Sequence, residues 1–188
     1  MNPRIFVSFA ALAIAACTSL PDPAATVSVP DELKPNANET LTMIASAKGV
    51  QIYQCRATNE QAGSYGWVFV APEADLFDAS GNKIGRNFAG PSWEAVDGSK
   101  IVGTLKGGHD APQADAIPWL LLATKSVGSK GSLSKVTGVQ RVNTVGGVAP
   151  KAGCSQSEVG VVARMPYTAE YRFLAEKNPY TWSTIQGY

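Results

Sequence analysis

The chain has 188 residues, with 16 Lys and Arg against 15 Asp and Glu, and hydrophobic residues make up 45% of it. This balance lacks the basic excess that nucleic-acid binding needs, so no nucleic-acid partner is expected. The length and apolar fraction suit one ordinary core, and 18 glycines and 12 prolines argue against long helices.

The first sixteen residues have the organisation of an export signal. Arg4 provides a basic start, residues 5–13 form an apolar run, and small residues precede Cys17. The run is far shorter than the ~20 residues that cross a bilayer, and no later segment reaches that length without a charge, glycine or proline. We therefore predict a signal peptide over residues 1–16 and no transmembrane helix after it.

The run Ile14-Ala15-Ala16-Cys17 resembles the lipobox of bacterial lipoproteins, in which the cysteine is lipidated and becomes the first residue. Ordinary secretory cleavage is the alternative. Two or three acyl chains anchor a protein stably, and Thr18, where Asp would resemble an inner-membrane retention signal, favours the outer membrane. We expect an exported, lipid-anchored protein in the outer membrane, facing the periplasm or the cell surface, with a flexible tether over residues 17–29.

The chain has three cysteines, and the predicted anchor uses one of them. Cys55 and Cys154 remain as an even pair in a compartment that permits oxidation. A bridge between them would close a loop of about 100 residues and stabilise the fold by up to ~4.7 kcal/mol. We predict this disulfide; two buried free thiols are the alternative.

Short segments of β-branched and aromatic residues, separated by turn residues, predict one antiparallel all-β domain over residues 30–188. In the first half we predict strands at 50–55, 66–70, 74–77, 93–96 and 100–105. Asp97-Gly98 predicts a hairpin between the last two, because this pair suits the positive φ angles of a tight primed turn.

In the second half we predict strands at 119–124, 136–142, 159–165 and 167–174, with a loop at 128–132. Pro166 predicts a break between the last two strands, because proline cannot donate to a ladder. Residues 39–47 and 167–177 have a helical alternative. The whole pattern favours a β-sandwich or a small β-barrel.

Several segments, spread in order over residues 29–174, form a specific set although each is weak alone. They are GVQIYQC (49–55), APEADL (71–76), AGPSWE (89–94), DGS (97–99), IPWLL (117–121), VQRVNT (139–144) and PYTAEY (166–171), with Trp67, Gly146, Gly147 and Cys154. This set resembles DUF3455, a family of secreted bacterial and fungal proteins whose function is unknown.

The resemblance implies no activity. Some fungal relatives carry dehydrogenase labels, but this chain has no G-x-G-x-x-G after a strand and no alternating βαβ pattern. In the family the position two before Ala89 is commonly His, whereas here it is Asn87. No proton-transfer or metal role of such a histidine therefore carries over to this chain.

His109 is the only histidine and lies in a glycine-rich segment. It is a candidate general base oriented by Asp110 or Asp115, and an exposed loop histidine without a role is the alternative. No G-x-S-x-G elbow accompanies it, and one histidine beside a predicted disulfide is too few ligands for a catalytic zinc. We therefore expect neither a metal nor a cofactor.

The stretch around Trp93 and Glu94, followed by Asp97, most resembles a binding site, because a carboxylate beside an indole is typical of saccharide pockets and of glycosidase acids. Adjacent residues of a strand face opposite sides, so one of Trp93 and Glu94 points to the core and the other to solvent. A core tryptophan with an exposed glutamate is the plain alternative.

Arg141 lies centrally in an otherwise apolar segment. It is a candidate for bidentate binding of a carboxylate or phosphate, and structural pairing with Glu94, Glu158 or Glu170 is the alternative. Trp119 is a candidate for the core or for the wall of a groove.

Taken together, these features favour a non-enzymatic, membrane-anchored domain that binds a small molecule, a glycan or an envelope protein through an aromatic groove near Trp93 and Glu94. One alternative is a hydrolase of envelope carbohydrate or esters, with Glu94, Asp97 or His109 as acid and base, which requires these side chains to converge. Another is a structural or assembly lipoprotein without a ligand pocket.

Overall fold

A computed structural model describes residues 27–58 and 63–178. It contains eight strands: β1 (Glu39–Ala57), β2 (Tyr65–Phe77), β3 (Lys83–Phe88), β4 (Ser92–Ala95), β5 (Lys100–His109), β6 (Trp119–Ser126), β7 (Val136–Gly146) and β8 (Val162–Glu176). Two short 3-10 helices span Asp31–Leu33 and Gln156–Glu158. Residues 39–47 and 167–177 fall mainly in β1 and β8, so their helical alternative is wrong.

The predicted signal peptide, the lipidation of Cys17 and most of the tether lie outside the described residues, as do residues 179–188 of the predicted domain. Among the residues that are described, no helix is long and apolar enough to cross a membrane.

Each strand pairs antiparallel with the next one along the chain, and β8 pairs antiparallel with β1, which closes the sheet into a barrel. Of the two predicted architectures, the barrel is therefore confirmed. Closure pairs every strand on both sides over at least part of its length. A barrel of eight strands has an interior that side chains can fill or that can hold one small ligand.

Strands β2 and β8 each run through a proline, so the predicted break at Pro166 is wrong. β8 pairs with β7 only as far as Tyr167, and β2 pairs with β3 only from Ala74 onwards. Pro166 and Pro72 therefore lie where β1 is the only neighbouring strand. At such a place the missing N–H can face away from the ladder, which is where strands tolerate proline.

The predicted hairpin of β4 and β5 is present, but its turn differs from the expected one. Only Gly98 has a positive φ, at 81°. The Ala95 N–H donates to the Ser99 carbonyl at 2.9 Å, which makes a three-residue loop with Gly98 in the left-handed position. Asp97 keeps an ordinary φ, and its carboxylate accepts the Ser99 N–H at 2.9 Å.

The loop between β6 and β7 covers the end of the barrel that contains this hairpin turn, which we call the closed end. Leu133, from the loop between β6 and β7, is buried there in the main core. Asp97 ties that loop to the hairpin, because its carboxylate accepts the Ser132 N–H at 2.7 Å and the Ser99 hydroxyl at 2.6 Å. The same core includes Ala45, Ala47, Leu76, Trp93, Ile101, Leu122, Val139, Tyr171 and Phe173.

Residues 27–33, which we call the strap, cross the outer face of the barrel. Leu33 is fully buried against Trp119 and Val142, and Val27 and Val29 pack on the same cluster. Trp119 begins β6 at the opposite end of the barrel, which we call the open end, and Glu39 begins β1 at the closed end. The strap therefore enters at the open end and leads towards the closed end.

Cys55 and Cys154 form a disulfide, as predicted. The bond holds the segment between β7 and β8 against β1, and the Trp67 indole N–H adds a hydrogen bond to the Ala152 carbonyl at 2.9 Å. The Gly160 N–H donates to the Cys55 carbonyl at 2.9 Å in the same region. The parts of β1, β2 and β8 that extend beyond β3 and β7 are therefore held together beside the open end.

Candidate functional site

A cavity of about 360 Å³ occupies the open end of the barrel. Its volume lies within the range of small-molecule sites, roughly 300–1,000 Å³. Most of the lining is apolar or aromatic: Tyr53, Phe69, Val70, Pro72, Gly90, Pro91, Trp93, Leu105, Ile117, Pro118, Leu120, Leu122 and Tyr171. The other lining residues are Gln51, Asn87 and Arg141.

A β-bulge shapes the opening of this cavity. The pairing of β1 with β2 shifts so that Tyr53 faces Phe69 and Ile52 faces Ala71, which leaves Val70 without a partner. Phe69 and Val70 both line the cavity although they are neighbours in the strand, because a bulge re-aims side chains. Together with Leu105 they form an apolar, half-exposed rim. Strict alternation along β2 gives no signal for this arrangement.

Asn87 organises a hydrogen-bond network in the cavity wall and is only 1% exposed. Its Oδ1 accepts the Tyr171 hydroxyl at 3.0 Å and the Tyr167 hydroxyl at 3.4 Å, and its Nδ2 donates to the Ser92 carbonyl at 3.0 Å. Burial raises the pKa of Tyr167, so this phenol stays neutral at ordinary pH. The position noted for its departure from the family pattern therefore lies in the cavity.

Arg141 lies in the cavity wall, between Leu120 of β6 and Tyr171 of β8. Its Nε and Nη2 groups donate to the Pro118 carbonyl at 3.2 and 2.8 Å. Within the described part of the chain it forms no ion pair.

The predicted structural pairing of Arg141 with Glu94, Glu158 or Glu170 is wrong. Glu94 pairs with Arg86, and Glu170 pairs with Arg172. The reason is the two-residue period of a strand, which turns Arg141 towards the interior.

Trp93 and Glu94 face opposite sides of β4, as expected. Trp93 is buried beside the cavity and packs edge-to-face on Tyr171, with 5.7 Å between the ring centroids. Glu94 is on the outer side, where one of its oxygens lies 2.9 Å from Arg86 Nη2. Only the tryptophan of this predicted groove therefore belongs to the cavity.

Asp97 lies at the closed end, away from the cavity. Hydrogen bonds lower the pKa of its carboxyl group, first that from the Ser99 hydroxyl and then that from the Ser132 N–H. These contacts join the hairpin turn to the loop between β6 and β7. The role of Asp97 is therefore structural.

His109 is the last residue of β5 rather than part of a loop. Its Nδ1 lies 2.7 Å from Glu32 Oε1 in the strap, and neither Asp110 nor Asp115 is its partner. Glu94 pairs with Lys100, so His109 is nine residues further along β5, or about 30 Å at ~3.3 Å per residue.

Glu94, Asp97 and His109 therefore do not converge on one cleft. Asp110, the other candidate in this region, is exposed beyond the end of β5. Over residues 27–58 and 63–178, no three His, Cys, Asp or Glu side chains lie together as a metal site would require.

Trp119 is on the outside of the barrel. It is buried under the strap, in contact with the cluster that contains Leu33 and Val142. Gln51, in contrast, was not among the predicted site residues although it lines the cavity. The available signal was its position in β1, an even number of residues from the inward-facing Ala47 and Tyr53.

The fold and the cavity define a small, closed β-barrel domain with an internal cavity at one end. The chain belongs to the family described as "Protein of unknown function (DUF3455)", which it matches over residues 35–175. The resemblance noted in the sequence is thereby confirmed, and the matched range includes nearly all of the barrel. No curated protein and no solved structure matches the chain.

Proposed function

We propose that the protein is a non-enzymatic binding protein that holds one small, mainly apolar molecule in the barrel cavity. The observation that carries this proposal is the cavity of about 360 Å³ at the open end of the barrel, lined mainly by apolar and aromatic side chains. Protein interiors are normally packed without such space. Few polar groups line the cavity, which favours an apolar molecule over a glycan.

The polar groups of the cavity support binding rather than proton transfer. Arginine stays protonated at any physiological pH, and an amide such as Asn87 does not titrate. Burial raises the pKa values of Tyr53 and Tyr167 above the ordinary value of 10.0. Each of these groups can orient a ligand through hydrogen bonds, but none of them exchanges a proton readily near neutral pH.

We also propose that lipid on Cys17 anchors the exported protein to the outer membrane, on its periplasmic side. The position of the strap supports this anchor, because Val27 packs near the open end of the barrel and the chain from Cys17 therefore reaches the barrel there. Only residues 18–26 separate Cys17 from Val27. A flexible tether of that length spans roughly 20 Å, so the open end and its apolar rim would stay near the bilayer.

Titration with 1-decanol, followed by intrinsic tryptophan fluorescence, tests the binding proposal because Trp93 lines the cavity. Leu120→Phe adds bulk to the cavity wall and should weaken binding about tenfold or more. Val96→Phe is the matched control, because Val96 is 74% exposed and lies at the closed end. We expect this control to bind like the unchanged protein.

Equal binding by Leu120→Phe and the unchanged protein would contradict the proposal, as would saturable binding of a cell-wall glycan without any binding of decanol. The anchor has a separate test. Labelled palmitate should be incorporated into the unchanged chain in cells and not into Cys17→Ser, and equal labelling of the two would exclude lipidation at Cys17.

A further inference from the structure

Arg141 has hydrogen-bonding capacity that the protein does not use. A guanidinium group has five N–H donors. The Nε–H and one Nη2–H point to the Pro118 carbonyl, and no other acceptor contacts Arg141 within the described residues. One Nη2–H and both Nη1–H groups remain. An Nη1–H and an Nη2–H together form the edge that holds a carboxylate through two parallel hydrogen bonds.

The charge of Arg141 is also unbalanced. In the described part of the chain no carboxylate oxygen lies within 4.0 Å of it. The nearby phenols of Tyr53 and Tyr167 cannot neutralise it, because burial raises both pKa values. Arg141 is partly buried in a mainly apolar wall, where a counter-charge would stabilise it. An anion that enters the cavity would provide that counter-charge.

The remaining polar groups of the wall favour the same kind of ligand. Among the described residues the Trp93 Nε1 is a buried donor without a partner, whereas the Gln51 amide, 2% exposed, lies beside the Tyr167 hydroxyl. The acceptors are already engaged, since Asn87 Oδ1 accepts two tyrosine hydroxyls and the Pro118 carbonyl accepts Arg141. The wall therefore has spare donors and few spare acceptors.

We infer that the natural ligand is an apolar carboxylic acid, with its carboxylate on Arg141 and its apolar part along Trp93 and Leu122. This inference rests on the proposed function and adds the chemistry of the head group. A neutral alcohol would gain the apolar contacts and lose the charge-assisted hydrogen bonds. An amine would place a second cation beside Arg141.

Calorimetric titration with three ligands of the same ten-carbon chain tests the inference: decanoate, 1-decanol and decylamine at neutral pH. The purified protein should bind decanoate most tightly and decylamine least tightly. Arg141→Gln should weaken decanoate binding by about 10- to 100-fold and leave decanol binding within about threefold. The matched control is Arg164→Gln, which removes an exposed arginine that pairs with Glu73 outside the cavity.

The results separate this inference from the proposed function. If decanol binds as tightly as decanoate, or if Arg141→Gln binds decanoate unchanged, the acidic head group is wrong and the apolar cavity proposal stands. If none of the three ligands binds the folded protein, both fail. Circular dichroism verifies folding of each variant, and Arg141→Lys is a second variant. Lysine keeps the positive charge but lacks the two parallel N–H donors of the guanidinium group. We therefore expect Arg141→Lys to lose less decanoate binding than Arg141→Gln and to bind decanol unchanged.

Discussion

Replacement of Asn87 by leucine should destabilise the barrel through the hydrogen bonds of the cavity wall. The side chain is 1% exposed and takes part in three hydrogen bonds, with Tyr171, Tyr167 and the Ser92 carbonyl. Leucine has similar bulk and can form none of them. The two tyrosine hydroxyls are 3.5 Å apart, so one can still donate to the other.

The expected cost follows from the groups that stay buried without a partner. In Asn87→Leu the Ser92 carbonyl keeps its ladder partner on β3, where Ser92 pairs with Phe88, so the group left without a partner is one tyrosine hydroxyl. We expect a loss of roughly 1–3 kcal/mol in the free energy of unfolding. Tyr171→Phe removes one hydrogen bond and should cost about 1 kcal/mol. In the double variant, Tyr171→Phe should cost about 1 kcal/mol less than it does alone, because its acceptor is already absent.

The assay is equilibrium unfolding in urea at neutral pH, followed by circular dichroism with the disulfide intact. Tyr53→Phe in combination with Asn87→Leu is the matched control, because the Tyr53 hydroxyl donates to the Gly147 carbonyl at 2.8 Å and not to Asn87. This pair should be additive within about 0.5 kcal/mol. Additivity of Asn87→Leu with Tyr171→Phe to the same precision would refute the network.

Two further predictions concern the packing of the barrel. Hydrogen bonds lower the pKa of Asp97 below 3.8, so its contribution to stability is present above that pH and is lost as the pH falls below it. Urea midpoints should therefore show Asp97→Asn less stable than the unchanged protein at pH 7, with the gap closing in acid. A gap independent of pH would contradict this, and exposed Asp110→Asn is the control. A Cβ on Gly103 would lie 2.9 Å from Trp93 Cζ3, so Gly103→Ala should lower the free energy of unfolding by about 1–3 kcal/mol, measured by thermal unfolding. Gly108→Ala is the control, because its Cβ would lie 3.4 Å from the nearest atom and should change stability little. Equal effects of the two substitutions would argue against tight packing under Trp93.

Local sequence pattern predicted at least part of every strand except β3 (Lys83–Phe88). The hairpin of β4 and β5 was found from its turn residues, and the opposite orientations of Trp93 and Glu94 followed from the strand period. Pro166 misled the prediction, because whether a proline breaks a strand depends on which side has a partner. That partner is distant in sequence.

The site was less predictable than the fold. Residue type singled out Arg141, and the structure shows that it faces the cavity. Residue type also singled out Trp119, which lies under the strap, and His109, whose partner is Glu32. Gln51 was missed although its spacing from Ala47 and Tyr53 places it on the inward face of β1, because the two-residue period does not show that a cavity lies at that point.

The sequence by itself determined the all-β class, at least part of every strand except β3, and the Cys55–Cys154 disulfide, because these depend on the two-residue period and on the number of cysteines. Only the tertiary structure decided between a sandwich and a barrel, because closure depends on the pairing of β1 with β8, whose first pair joins Glu39 to Glu176. The same closure formed the cavity, and the bulge at Val70 shaped its opening. Register between distant strands sets these features, and no local pattern encodes it.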